Sequence, residues 1–305
     1  MDMVVAQHLL NWLVQGSTIA LVALGFSLLF GVLNVIHFSH GDVSIVGAFV
    51  ALAVLQMVLV HVVPAAGAAA LMLAALIAII VTGCLGVLLD WLVIRRFRAA
   101  PAMMALVATV ALGAVLREMI RMFYPQGSNP KPFPEVLRTR LEVGELAIST
   151  SGLFIIAVSV LMVASLYGVM HRTALGIRIR AVAQDLDTAR LMGIHPNRIF
   201  AATFFIASAV GAIGGMFYAS NAGVVRFDFG IQLGLIGFSA AVIGGLGSMH
   251  GAIIGSLVLA GIDTLVQATL PDGAAYRLVF AFLLVILVLV LKPSGLFGRP
   301  VYEKV

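Results

Sequence analysis

Long apolar runs, separated by short polar stretches, organise this chain. A helix needs about 20 apolar residues to cross the hydrocarbon core of a bilayer. Runs of that grade fall at roughly 9–33, 43–63, 67–94, 101–122, 151–170, 199–219 and 276–291. The region 227–270 is also apolar but is interrupted by glycines, and it reads as two short legs, about 227–245 and 251–270. The pattern predicts an all-α polytopic membrane protein. It should have about 8–9 transmembrane helices, with broken or re-entrant glycine-rich segments, in a single membrane domain over 1–305.

Composition agrees. Of the 305 residues, 62% are hydrophobic and 10% charged, and the mean hydropathy is +1.14, whereas a soluble domain carries about 25% charged residues. The pI near 9.8 is no sign of nucleic acid, because the basic residues lie mostly in short loops between apolar spans. The single cysteine, Cys84, sits inside an apolar run and reads as a small core residue. The stretch "MDMVVAQHLL" has no Lys or Arg, so it lacks the basic region of a signal peptide.

Loop charge sets orientation. "RRFR" (95–98), the segment 171–198 with Arg172, Arg178, Arg180, Arg190 and Arg198, and the tail with Lys292, Arg299 and Lys304 against Glu303 all read as cytoplasmic. The loop 123–150, where Lys131, Arg138 and Arg140 are balanced by Glu135, Glu142 and Glu145, reads as external. Parity then requires 227–270 to cross twice or dip and return, turning at "GGLGSMHG" (244–251). Nine passes, N-terminus outside and C-terminus cytoplasmic, satisfy every charge mark. An eight-span arrangement violates one.

Two polar, glycine-bearing breaks stand out: "NVIHFSHGD" (34–42) and "GGLGSMHG". Non-helical backbone at membrane depth survives only where it is buried in protein or lines a cavity, and transporters aim such breaks at their solutes. The candidate pathway residues are therefore Asn34, His37, Ser39, His40 and Gly41 in the first break and Gly245, Gly247 and His250 in the second. A structural polar network is the competing reading. Glycines recur at a four-residue spacing in Gly247, Gly251 and Gly255, in Gly211 and Gly215, and in Gly230 and Gly234. On a helix that spacing makes a close-packing face, within the chain or along a dimer seam. The shared "GFS" at 25–27 and 237–239 hints at an internal repeat.

Several chemistries find no support. No GxxxxGK[ST] motif is present, so the chain does not hold ATP through a P-loop. His37 and His40 stand without the HExxH motif or Cys/His cluster that a metal site would show. Asp42, Asp90, Asp263, Arg117, Glu118 and Arg121 fall mostly near span ends, which argues against a proton relay in mid-membrane. No cofactor and no catalytic residue is expected. In the segment 171–198, Asp185 or Asp187 can cap a short helix, "LDTARLM", that Gly193 ends and Pro196 keeps from continuing. A capped helix between arginines suits either anionic headgroups of the membrane lipid or a cytosolic partner.

Three stretches carry a family likeness. "ALGFSLLFGVLNVIHFSHGDVSIVGAFVA" (23–51), "RTALGIRIRAVAQDLDTARLMGIHPNRI" (172–199) and "FSAAVIGGLGSMHGAIIGSLVLAGI" (238–262) resemble the permease subunit of branched-chain amino acid ABC importers, of the H type. The resemblance implies a permease domain rather than an enzyme, in a bacterial-type inner membrane. It implies a second, homologous permease, two cytosolic ATP-binding subunits and an extracytoplasmic solute-binding protein. It also implies an ATPase-coupling role for the loop 171–198, carried onto Arg180, Asp185, Ala189, Arg190 and Gly193. Related importers move urea or amides, or small aromatic acids, which stay open as substrates. A stand-alone secondary carrier is the alternative of another class.

Overall fold

The computed structural model describes residues 2–61, 67–98, 100–135, 140–143 and 146–298. Arg138, Glu145, Arg299, Glu303 and Lys304, used above as charge marks, lie outside the described residues. Among the described residues, seven helices are long and apolar enough to cross a membrane, and two shorter apolar helices join them.

Helix α1 (Asp2–Leu33) is followed by a non-helical stretch and then α2 (His40–His61). Helix α3 (Gly67–Leu89) runs into a π-helical turn, Asp90–Ile94, and a last turn α4 (Arg95–Phe97). Helix α5 (Ala102–Phe123) leads to strand β1 (Lys131–Pro132) and a small hairpin of β2 (Arg140–Val143) with β3 (Leu146–Ser149). Helix α6 (Thr150–Arg172) is succeeded by two short helices, α7 (Ala174–Gln184) and α8 (Leu186–Leu191). Then come α9 (Pro196–Ala222), strand β4 (Val224–Val225), α10 (Phe229–Gly244), α11 (Met249–Thr269) and α12 (Arg277–Leu291). Strand β1 pairs antiparallel with β4, so Lys131 faces Val225. The all-α expectation holds for the membrane part. The strands occupy connections, where the apolar pattern is silent.

The helices form an inner and an outer set. In their most apolar stretches α1 and α9 are 78% and 72% buried, whereas α5 and α6 are 22% buried. Hydropathy is blind to this division, because lipid is as apolar as protein interior. Cys84 shows it: the core position expected from sequence is in fact exposed, on the outer helix α3.

Glycine lets the inner helices approach closely. A Cβ on Gly215 would strike the Ser44 carbonyl, and one on Gly255 would strike that of Ala240. Gly230 and Gly234 face Asp42 and Gly41. These glycines therefore pack α2, α9, α10 and α11 within one chain. The expected helical face of Gly247 with Gly251 and Gly255 is corrected in one member. Gly247 lies in the α10–α11 turn at φ 83°, before α11 begins.

One end of the bundle holds Arg95, Arg96 and Arg98 and the arginines of the loop after α6. Arg98 Nη1 donates to Asn197 Oδ1 at 3.0 Å, joining the end of α4 to the start of α9. Leu33 and Arg98 line one small cavity, and the Phe297 N–H donates to the Gly244 carbonyl at 2.8 Å. The same end therefore receives the α10–α11 turn and the chain leaving α12. At the opposite end Asp263 of α11 meets Gln15 of α1 and Arg277 of α12, the latter at 2.8 Å.

Candidate functional site

Asn34 ends α1. It adopts φ 53°, and its N–H donates to the Phe30 carbonyl at 2.8 Å. Asparagine tolerates this left-handed conformation better than most residues, which is why the helix stops there. Its side chain is exposed, apart from the rest of the first break. The chain then turns back into the bundle. Phe38 N–H donates to Thr109 Oγ1 of α5 at 3.2 Å, and α2 begins at His40. The expected span 43–63 thus starts three residues early, and His40, Gly41 and Asp42 form its first turn rather than a loop.

The break lies deep. The His40 imidazole, fully buried, fits a slot between Gly25 and Gly211, with the Phe26 ring edge-on at 4.9 Å. Gly25 is about two turns before the end of α1, and Gly211 is about four turns into α9. That places the start of α2 inside the protein, not at its surface. His37 is also buried. Its Nε2 meets Ser39 Oγ at 3.0 Å, and its ring stands against Phe204 at 5.3 Å. Gly41 lies against the backbone of Gly230 and Gly234.

Asp42 is ion-paired with Arg117 of α5 at 2.7 Å. Gly113 and Gly230 make room for its carboxylate. Four buried atoms here, His37 Nδ1, His40 Nδ1 and Nε2, and Asp42 Oδ1, have no hydrogen-bond partner among the described residues. Buried polar atoms are nearly always paired, so these four call for an explanation. His37 also lines a small cavity shared with Ile36, Arg98 and Thr109.

The second break is of another kind. Gly245 and Gly247 adopt φ 104° and 83°, and Ser248 Oγ accepts from the Gly251 N–H at 3.1 Å, capping α11. The turn packs on Gly31, near the end of α1, and on Gly298. His250 is exposed and stands against Tyr167 of α6 at 5.5 Å. So the structure brings His37, Ser39, His40 and Gly41 together. It places Asn34, Gly245, Gly247 and His250 elsewhere, at the arginine-rich end.

The loop after α6 is more ordered than its sequence signals implied. Helix α7 was not expected. Thr173 caps it through the Gly176 N–H, and Arg180 folds back onto the Met170 carbonyl. A cation there complements the C-terminal end of α6. Asp185, not Asp187, caps α8, accepting from the Thr188 N–H at 2.8 Å. Gly193 stops the helix at φ 78°, and the Ile194 N–H returns to the Ala189 carbonyl at 3.0 Å. Pro196 opens α9 as well as preventing continuation. Ala189 is buried, while Leu191 and Met192 are 87% and 77% exposed. Arg190 pairs with Asp187 at 2.9 Å on the surface.

Residues 8–289 match the family model described as the branched-chain amino acid transport system permease component. The chain belongs to that family. The high-affinity branched-chain amino acid transport system permease protein BraD of Pseudomonas aeruginosa is 35% identical over 98% of this chain and 97% of its own length. The corresponding LivH of Escherichia coli (strain K12) is 31% identical over 98% and 97%. The xylose transport system permease protein XylH of the same strain is 37% identical, but over only 30% of this chain and 25% of its own.

Two residues of the permease escaped the sequence reading. Arg117 appeared as one of several span-end charges, and nothing in its spacing names Asp42 as its partner. Arg98 appeared only as a topology mark. It pairs with Asp90 in the π-helical turn and lies over the Phe200 ring at 3.8 Å. The available signal was an aspartate in each of two apolar runs, which in a membrane asks for a partner.

Proposed function

We propose that this permease is the membrane subunit of an ATP-driven importer of branched-chain amino acids. A second homologous permease would complete the path, two cytosolic subunits would supply the ATPase, and an extracytoplasmic binding protein would deliver substrate. The family match over nearly the whole chain carries the reading. The exposed Leu191 and Met192, on a capped helix between arginines, support it from the structure: an apolar surface of that kind asks for a protein partner. We place the arginine-rich end in the cytoplasm, which puts the N-terminus outside and the C-terminus inside.

Arg180, Asp185, Ala189, Arg190 and Gly193 hold the docking helix, Ala189 facing inward and Leu191 and Met192 outward. For the path we favour the His37 side of the first break. His37 lines a cavity with Arg98 and Thr109, and His40 is not among the residues lining it. The slot that encloses His40 supports a packing role for that ring. The partial likeness to a xylose permease is consistent with a shared scaffold and with specificity residing in other parts of the system.

The test is leucine uptake and ATP hydrolysis in vesicles containing the permease with its ATPase, second permease and binding protein. Gly193→Val forces a β-branched residue to positive φ and should leave ATP hydrolysis running while uptake falls. Coupled uptake at the wild-type level in that variant removes the docking role. Uptake of leucine without any ATPase subunit removes the importer reading and favours a secondary carrier. Competition by urea, amides or aromatic acids, with none by leucine, moves the substrate within the importer class.

A further inference from the structure

We propose that the permease binds an anionic phospholipid in the groove between α6 and α11, with its acyl chain along the helices and its phosphate at the arginine-rich end. The groove has a volume of about 430 Å³. Its walls are aliphatic where Val160, Val163 and Ile253 face each other, and polar where Tyr167, Arg172 and His250 meet. Along α6, Val160 to Arg172 spans about 18 Å at the helical rise. The polar groups all lie toward the end where α6 stops and α11 starts. The shape and the polarity gradient are those of an amphiphile with one charged head. A single branched-chain amino acid would cover only part of walls of that length.

Three further observations favour a lipid. Arg172 is exposed and forms no ion pair among the described residues, so its charge is free for a phosphate. Tyr167 is stacked on His171 at 4.1 Å and meets His250 edge-on. That makes an aromatic shelf of the type favoured where hydrocarbon gives way to headgroups. Beyond its own stretch of helix backbone, Gly168 has no atom within 4 Å of where a Cβ would sit. The other helical glycines make close contacts with neighbours in many places, as at Gly25 and Gly215. Gly168 instead leaves the groove open, so packing does not account for it. The choice of an anionic headgroup rests on the cytoplasmic placement of this end, since that leaflet attracts basic residues.

The groove is testable because a Cβ at Gly168 meets open space. The full-length permease, purified in its transporter complex, is titrated with dioleoylphosphatidylglycerol or dioleoylphosphatidylcholine and examined by native mass spectrometry. The wild type should retain phosphatidylglycerol preferentially. Arg172→Gln should lose about fivefold in that preference, the worth of one basic residue near a charged surface. Gly168→Leu should strip retained lipid of both kinds while its thermal stability in lipid-free detergent stays unchanged. Wild-type lipid retention in Gly168→Leu overturns the proposal. So does efficient photocrosslinking of a benzophenone amino acid at position 164 to the second permease, which would make the groove a subunit interface. Cysteine accessibility at the termini reads orientation separately, so a reversed topology is not confused with an empty groove.

Discussion

The two breaks share a plan: an apolar leg, a short interruption and a second leg whose first turn contains His-Gly. Their fates differ. His40 is sealed between Gly25 and Gly211 inside the bundle, whereas His250 is exposed at its end. In the first break the chain climbs back into the protein before α2 starts. In the second, two glycines with positive φ and a serine cap close a tight turn, and α11 starts at once. The same dipeptide therefore serves as a core element in one place and as part of a groove in the other. What separates them is the depth at which the second helix begins, and that depth is set by the neighbouring helices. Gly211 and Gly215 of α9 accept the first turn of α2, and Gly113 and Gly230 accept Asp42.

If this contrast is right, substitutions in the first break should cost much more than those in the second. Arg117→Met should be the most damaging, because it strands a buried carboxylate. The loss should be about 3–5 kcal/mol, read as a fall in folded yield and thermal midpoint. Adding Asp42→Leu should recover much of it. Failure of the double variant to recover would show that the pair does more than satisfy itself.

Gly25→Ala comes next. The added methyl meets the His40 ring, at an overpacking cost of about 1–3 kcal/mol. Combined with His40→Ala the penalty should shrink, and a double-mutant cycle measures the coupling. Gly247→Ala should cost about 1–2 kcal/mol through backbone strain alone, since no close neighbour crowds that position. His250→Ala should stay within about 0.5 kcal/mol of wild type in stability, as an exposed side chain. A stability loss at His250 equal to that at Gly25 would erase the distinction between the breaks.

Much of this molecule was readable in advance. Apolar run length named nine hydrophobic segments close to their final bounds, because a bilayer-grade helix is a local property of some 20 residues. The α8 cap and stop were readable too. Asp185, Gly193 and Ile194 act within a few residues of each other, and that chemistry is written in sequence order. Helix α7 was missed because its single polar cap, Thr173, sits amid arginines that read as topology marks.

The remainder depends on contacts between residues far apart in the chain. Asp42 finds Arg117, Arg98 reaches Asn197, and Asp263 finds Gln15. Each partner is chosen by helix packing. The inner and outer helices are equally apolar, so composition does not say which face meets protein and which meets lipid, and Cys84 was misplaced for that reason. The sequence by itself determined the membrane class, the apolar helices, the cap and stop of α8 and the family likeness. Only the tertiary structure decided that the first break is recessed, that its histidines are enclosed, and that Gly168 opens onto a groove. Depth, enclosure and open space are properties of neighbouring helices, and those neighbours are not adjacent in the chain.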